Sequence, residues 1–273
     1  MRTNIYDLIA TEECNPHKEA LRLRKQFFED RFSVYMRGSK ISLCEYIEQN
    51  VFETLPCRRS STSIFDLMSD VKIDDDISSL DDLFSLCEFL AMLLDQGCKY
   101  IQKSPRALLQ AEVVNSSMEH ILNLTNHEFV NDNEGGRVII EKNVAASQAT
   151  SLIEDSKTAL KVLEYNNPAL SGEIVLKKEI ILTIYLYIES LLVSLKRAGA
   201  PYAALSNDIG FMLNSLNIRH DNTSGGNIKE FAVKMTPEEQ EKWLDNVYNS
   251  MLMAIIAKEQ IRISSEIKVL KSQ

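Results

Sequence analysis

Apolar positions recur at three- and four-residue intervals along most of the chain, the signature of helices that bury one face. Over residues 16–36, Leu21, Leu23, Phe27, Phe28 and Phe32 follow this spacing among Arg22, Arg24, Lys25, Glu29, Asp30 and Arg31, predicting an amphipathic helix with a charged outer face. A second helix is predicted over 42–55 and ends at Pro56, whose ring disfavours helical backbone in the residue before it. Residues 57–82 are polar and read as loop with one helical turn. Ser79 then suits an N-cap, because Asp81 and Asp82 would fall in the first turn, where carboxylates meet the positive end of the helix dipole. The apolar run that follows, Leu83 to Leu94, predicts a well-buried helix reaching about residue 101, and Pro105 opens another to about 124.

The periodicity then changes. Glu128-Phe129-Val130 and Arg137-Val138-Ile139-Ile140 flank Asn131-Asp132-Asn133-Glu134-Gly135-Gly136, the pattern of a β-hairpin with a glycine-containing turn. Helical spacing resumes over 145–165, 171–198, 203–216 and 237–270. The last helix has a well-formed start: Thr236 as N-cap, Pro237 at the first helical position and Glu239 at the capping-box position. Trp243, Val247, Met251, Ile255 and Ile261 form its apolar stripe. The expected architecture is all-α, mainly a helical bundle, with one β-hairpin near residues 128–140. That hairpin divides an N-terminal helical region, 1–127, from a C-terminal helical bundle, 141–273.

Composition agrees. Hydrophobic residues at 45% and charged residues at 25% are ordinary globular values, and 9 Gly and 6 Pro are too few for a turn-rich β protein. The net charge of -9 repels phosphate backbones, so any nucleic-acid contact has to be a local cleft and not a broad basic surface. The acidic balance equally suits a protein partner. Cys14, Cys44, Cys57, Cys87 and Cys98 are odd in number and contain no C-x-x-C pair, which reads as free thiols in a reducing compartment. With no apolar signal core at the N-terminus, the expected location is the cytoplasm. Residues 180–195 carry one charge, Glu189, but sixteen helical positions span roughly 24 Å, short of the ~30 Å hydrocarbon core, and Lys177, Lys178, Lys196 and Arg197 bracket them. A buried central helix is expected there, and no membrane association. The acids between Asp70 and Asp82 lack the glycine and terminal Glu of a calcium loop, and His17, His120 and His127 share no ligand spacing. No metal and no cofactor are expected. Phosphate-binding, dinucleotide and nucleophile-elbow glycine motifs are missing.

The densest chemistry lies in Asn214-Ser215-Leu216-Asn217-Ile218-Arg219-His220-Asp221-Asn222, where one apolar helix pattern ends, followed by Thr223-Ser224-Gly225-Gly226-Asn227. This order of helix end, charged cluster, glycine loop and long final helix resembles the HEPN superfamily of helical nucleotide-binding proteins and ribonucleases, and abortive-infection-type bacterial proteins. The resemblance covers about residues 145–262. In that family an Arg, an adjoining polar residue and a later His precede the last helix of a four-helix bundle. Two bundles usually dimerise with their motifs facing, and RNA is cleaved without metal. Arg219 matches the family Arg and His220 the adjoining position. The later His has no counterpart, since Ser224, Gly225, Gly226 and Asn227 stand where it would fall.

The resemblance implies a bacterial or phage-related defence or toxin-type protein, a homodimer, binding RNA or a nucleotide and possessing at most a weakened metal-independent ribonuclease activity. Arg219 would place a forked cation against phosphate, and His220, titrating near neutrality, would serve as acid or base. Asn214, Asn217 and Asn222 would orient the ligand, and Glu189 would hold Arg219 as a buried partner. The competing reading is a non-enzymatic helical interaction or scaffold subunit, in which the same residues merely end a helix. Tyr185, Tyr187 and Tyr202 are expected in the core ahead of any stacking on bases.

Overall fold

The computed structural model describes residues 14–33, 40–55, 58, 60–73, 76–132, 135–219 and 234–272. Among them the chain is mainly helical, with ten α-helices and two small antiparallel sheets of two strands each. It divides into two compact units, Met1–Ile139 and Ile140–Gln273, the boundary falling inside the second hairpin strand.

In the N-terminal unit, α1 (Pro16–Arg24) starts where Asn15 accepts from the Lys18 amide. The apolar spacing predicts that this helix runs on to about residue 36, but it widens into a π-helical turn, Lys25–Glu29, and stops. The Asp30 amide reaches back to the Lys25 carbonyl at 2.8 Å, a ring one residue wider than the α-helical one. Phe27 remains fully buried, while Phe32 leaves the helix to pack on Tyr46, ring centroids 6.0 Å apart. Phe32–Ser33 (β1) then pairs with Lys40–Ile41 (β2), a contact between distant residues that helical periodicity does not encode. A Ser42–Glu45 capping box opens α2 (Leu43–Asn50). Within the stretch expected to hold one turn lies a two-turn helix, α3 (Ile64–Asp70), begun by Ser63.

The core helices follow the sequence closely. α4 (Leu80–Ile101) begins with the Ser79–Asp82 capping box, and α5 (Pro105–Leu124) with Ser104 as cap and Pro105 in its first turn. Leu83, Leu86, Leu90 and Leu93 of α4 are fully buried in one core with Leu23, Phe27, Ile47 and Met118. The predicted hairpin is present as β3 (His127–Asn131) and β4 (Arg137–Glu141), with Gly135 at φ +83° in the turn, a conformation that suits only glycine without strain. Arg137 anchors it by bonding Asp95 (2.7 Å), Asn115 (3.2 Å) and the Ala91 carbonyl (3.2 Å), its guanidinium over Phe129. The Ile139 amide donates to Glu88 at 2.7 Å, yet burial still raises that carboxyl above its ordinary value.

In the C-terminal unit the helix expected over 145–165 is two, α6 (Val144–Thr150) and α7 (Ser156–Glu164). Asp155 explains the break. Its carboxylate accepts from the Thr158 amide at 2.9 Å and hydroxyl at 2.6 Å, an N-cap that requires extended backbone at a position the apolar spacing had counted as helix. Three long helices follow: α8 (Ile174–Arg197), α9 (Tyr202–Ser215) and α10 (Pro237–Lys271), the last starting with the predicted Thr236–Glu239 capping box. Ile181, Ile184 and Ile188 of α8, Leu213 of α9 and Leu244, Met251 and Leu252 of α10 are fully buried together. Trp243 departs from the expected stripe and is 40% exposed. Among the described residues no helix is long and apolar enough to cross a membrane.

Candidate functional site

The last turn of α9 places Arg219. The helix ends at Ser215, and Asn217, at φ +53°, turns the chain so that the Ile218 amide reaches the Leu213 carbonyl at 3.0 Å. Left-handed backbone just past a helix is a position that asparagine tolerates better than most residues, so Asn217 has a local structural duty. Ile218 is buried beneath the turn and directs Arg219 outward. The Ser215 hydroxyl in this last turn is buried and has no hydrogen-bond partner among the described residues.

Arg219 lies against the middle of α8. Its guanidinium carbon is 5.0 Å from the Tyr185 ring centroid, and Nη2 is 3.4 Å from Glu189 Oε1. The same carboxylate oxygen accepts from the Tyr185 hydroxyl at 2.6 Å. Tyr185 and Glu189 stand four apart on α8, one turn of one face, so cation, ring and carboxylate form a closed triangle. Burial, then the bond to Glu189, push the Tyr185 phenol up to about 12, against the opposing pull of the Arg219 cation. The Glu189–Arg219 pairing expected from sequence is present, but the expectation of a buried carboxylate is corrected: the Glu189 side chain is 52% exposed and that of Arg219 34%. At position 189 α8 turns its outer face to solvent, so a lone acid in an apolar helix marks that face and not the core.

Asn214 is exposed on α9, outside the triangle, and Asn217 is half-buried. His220 and Asn222 lie outside the described residues. Tyr185 is core, as expected; Tyr202 is half-buried, and Tyr187, 37% exposed, accepts from the Glu154 amide. Among the described residues no group of three or more His, Cys, Asp or Glu side chains is disposed to hold a metal ion.

A second polar constellation is not foreseen by sequence spacing. Lys177, which brackets the apolar segment 180–195, is only 7% exposed. Its Nζ bonds Glu241 at 2.7 Å and Asp245 at 3.0 Å and stands 5.1 Å from the Tyr165 ring centroid. Tyr165 donates to Asp245 (2.8 Å) and stacks on Tyr248, centroids 4.0 Å apart; Tyr248 donates to the Val162 carbonyl (2.7 Å) and accepts from Asn166 (2.7 Å). The bond from Lys177 holds the Glu241 carboxyl below its ordinary value, while burial raises both phenols. One ammonium between two carboxylates, with the phenols satisfied, is a tie between α7, α8 and α10 and not a free nucleophile or anion site. The available sequence signal was Glu241 and Asp245 at i, i+4 on α10, opposite a lysine inside an apolar pattern.

No family model, no curated protein and no solved structure matches the chain.

Proposed function

We propose that the C-terminal unit binds RNA or a nucleotide through Arg219, as a HEPN-like module of a bacterial or phage-related defence or toxin-type protein. The observation that supports this reading is the mounting of Arg219. The cation is set at the surface beside the exit of α9, stiffened from beneath by an aromatic ring and restrained by one long bond to an exposed carboxylate. A phosphate makes shorter, charge-assisted bonds to guanidinium, near 2.7–2.9 Å, and displaces Glu189 at little cost because that carboxylate is already hydrated. Binding is the proposed activity. Cleavage needs a proton-transfer partner as well, and the sequence supplies only His220 beside Arg219.

The test is fluorescence anisotropy of the full chain with a labelled single-stranded RNA across a salt series, alongside Arg219→Ala. The expected loss is about tenfold or more in affinity, with the salt slope reduced by about 0.7 for one lost phosphate contact. Unchanged affinity and slope in the variant refute the reading. Incubation of the RNA with chelator present, for wild type and His220→Ala, separates binding from metal-independent cleavage.

A second reading, an interaction module or scaffold subunit, is favoured by α8. Val175, Leu186 and Val193 are 68, 63 and 49% exposed and fall on one row of the helix, with Glu179 between the first two and Ser190 between the last two. An exposed apolar row on a long helix suits burial against another protein surface, and a second copy of this chain is the proposed occupant.

A further inference from the structure

α9 and α10 of the C-terminal unit enclose a cleft of about 250 Å³ whose walls differ in kind from the Arg219 triangle. Asp208, Phe211 and Met212 come from α9, and Trp243, Asn246 and Ser250 from α10, where spacings of three and four put the latter three on one face. Trp243 is 40% exposed, so indole surface is presented to the opening. The polar side chains on the walls are Asp208, Asn246 and Ser250, and the charge among them is negative. Asp208 offers a carboxylate and, among the described residues, no ion pair or hydrogen bond engages it. The Ser250 hydroxyl spends its proton on the Asn246 carbonyl at 2.7 Å, leaving lone pairs as what it can offer a ligand. Among the described residues, no lining side chain carries a positive charge.

We infer that this cleft is a binding site for a small organic cation, a primary or quaternary amine carrying an apolar or aryl group. The electron-rich face of Trp243 attracts a cation and, with Met212, covers its hydrocarbon, while Asp208 and Ser250 accept from its N–H groups. An anion meets the Asp208 carboxylate with no compensating donor charge and is rejected. The volume suits a monocyclic amine and is too small for a drug-sized ligand. This assignment is independent of RNA binding at Arg219, which calls for the opposite ligand charge.

Trp243 is the single tryptophan of the chain, so its fluorescence reports on this wall alone. Titration of the full-length protein with phenethylamine is compared with 2-phenylethanol, a neutral molecule of nearly the same shape. The expected result is saturable perturbation of Trp243 emission, with the amine about tenfold tighter than the alcohol. Asp208→Asn, a change at an exposed position, should cut the amine's advantage severalfold. Equal affinities in wild type, no saturable response to the amine, or a preference undiminished in Asp208→Asn overturns the proposal.

Discussion

Tyr185 sits under Arg219 and donates a hydrogen bond to Glu189, so its titration reads out the integrity of the triangle. Its folded-state pKa is raised, from an ordinary value near 10 to about 12, which means the folded protein prefers the neutral phenol. The stability it contributes is therefore complete below pH 10 and is lost as pH rises through 12. Chemical-denaturation midpoints of wild type and Tyr185→Phe, compared from pH 9 to 12, should differ at the start of that range, with the wild type more stable, and converge at its end. Tyr165 and Tyr248 are also raised but are common to both proteins and cancel. A gap independent of pH shows that the hydroxyl bond is not maintained in solution. Arg219 itself rests on a cation–π contact and a solvated ion pair, each contributing about 1 kcal/mol or less, so it is removable without unfolding the unit. That makes the RNA experiment interpretable.

Between elements, the buried lysine matters more than the exposed arginine. α7, α8 and α10 are joined by Lys177, Tyr165, Asn166, Glu241, Asp245 and Tyr248, a network whose geometry fixes the register of α10 against α8. Breaking a fully buried pair costs about 3–5 kcal/mol; here Asp245 is 46% and Glu241 22% exposed at the side chain, and both can rehydrate. Lys177→Met is expected to destabilise the protein by about 2 kcal/mol, measured by urea denaturation followed by circular dichroism. A change under about 0.5 kcal/mol, the ordinary range for surface positions, shows that the tie is dispensable. Legibility at this scale follows how local the determining interaction is. Thr236–Glu239 and Ser79–Asp82 are three residues apart and could be read directly. The π-helical stop after α1 is followed by Phe32 packing on Tyr46, a contact outside helical spacing, and the division of α6 from α7 turns on an Asp155 cap that competes with apolar spacing, so the periodicity overran both.

For the molecule as a whole, two compact units joined within β4, an exposed apolar row on α8 and a net charge of -9 bear on assembly. If a second copy covers α8, wild type sediments as a dimer, and Leu186→Glu, which sets a charge in the middle of the row, sediments as a monomer with unchanged circular dichroism. A monomeric wild type leaves α8 for a different protein and removes the facing-site arrangement that the HEPN resemblance implies. The chain by itself determined the mainly helical class, the hairpin and the starts of α4, α5 and α10, because each rests on periodicity or on capping over three residues. Only the tertiary structure decided that Glu189 is exposed, that Lys177 is buried between two acids and that Trp243 opens onto a cleft. Exposure depends on which faces of distant helices meet, and residue spacing specifies the face a side chain occupies without saying what, if anything, lies against it.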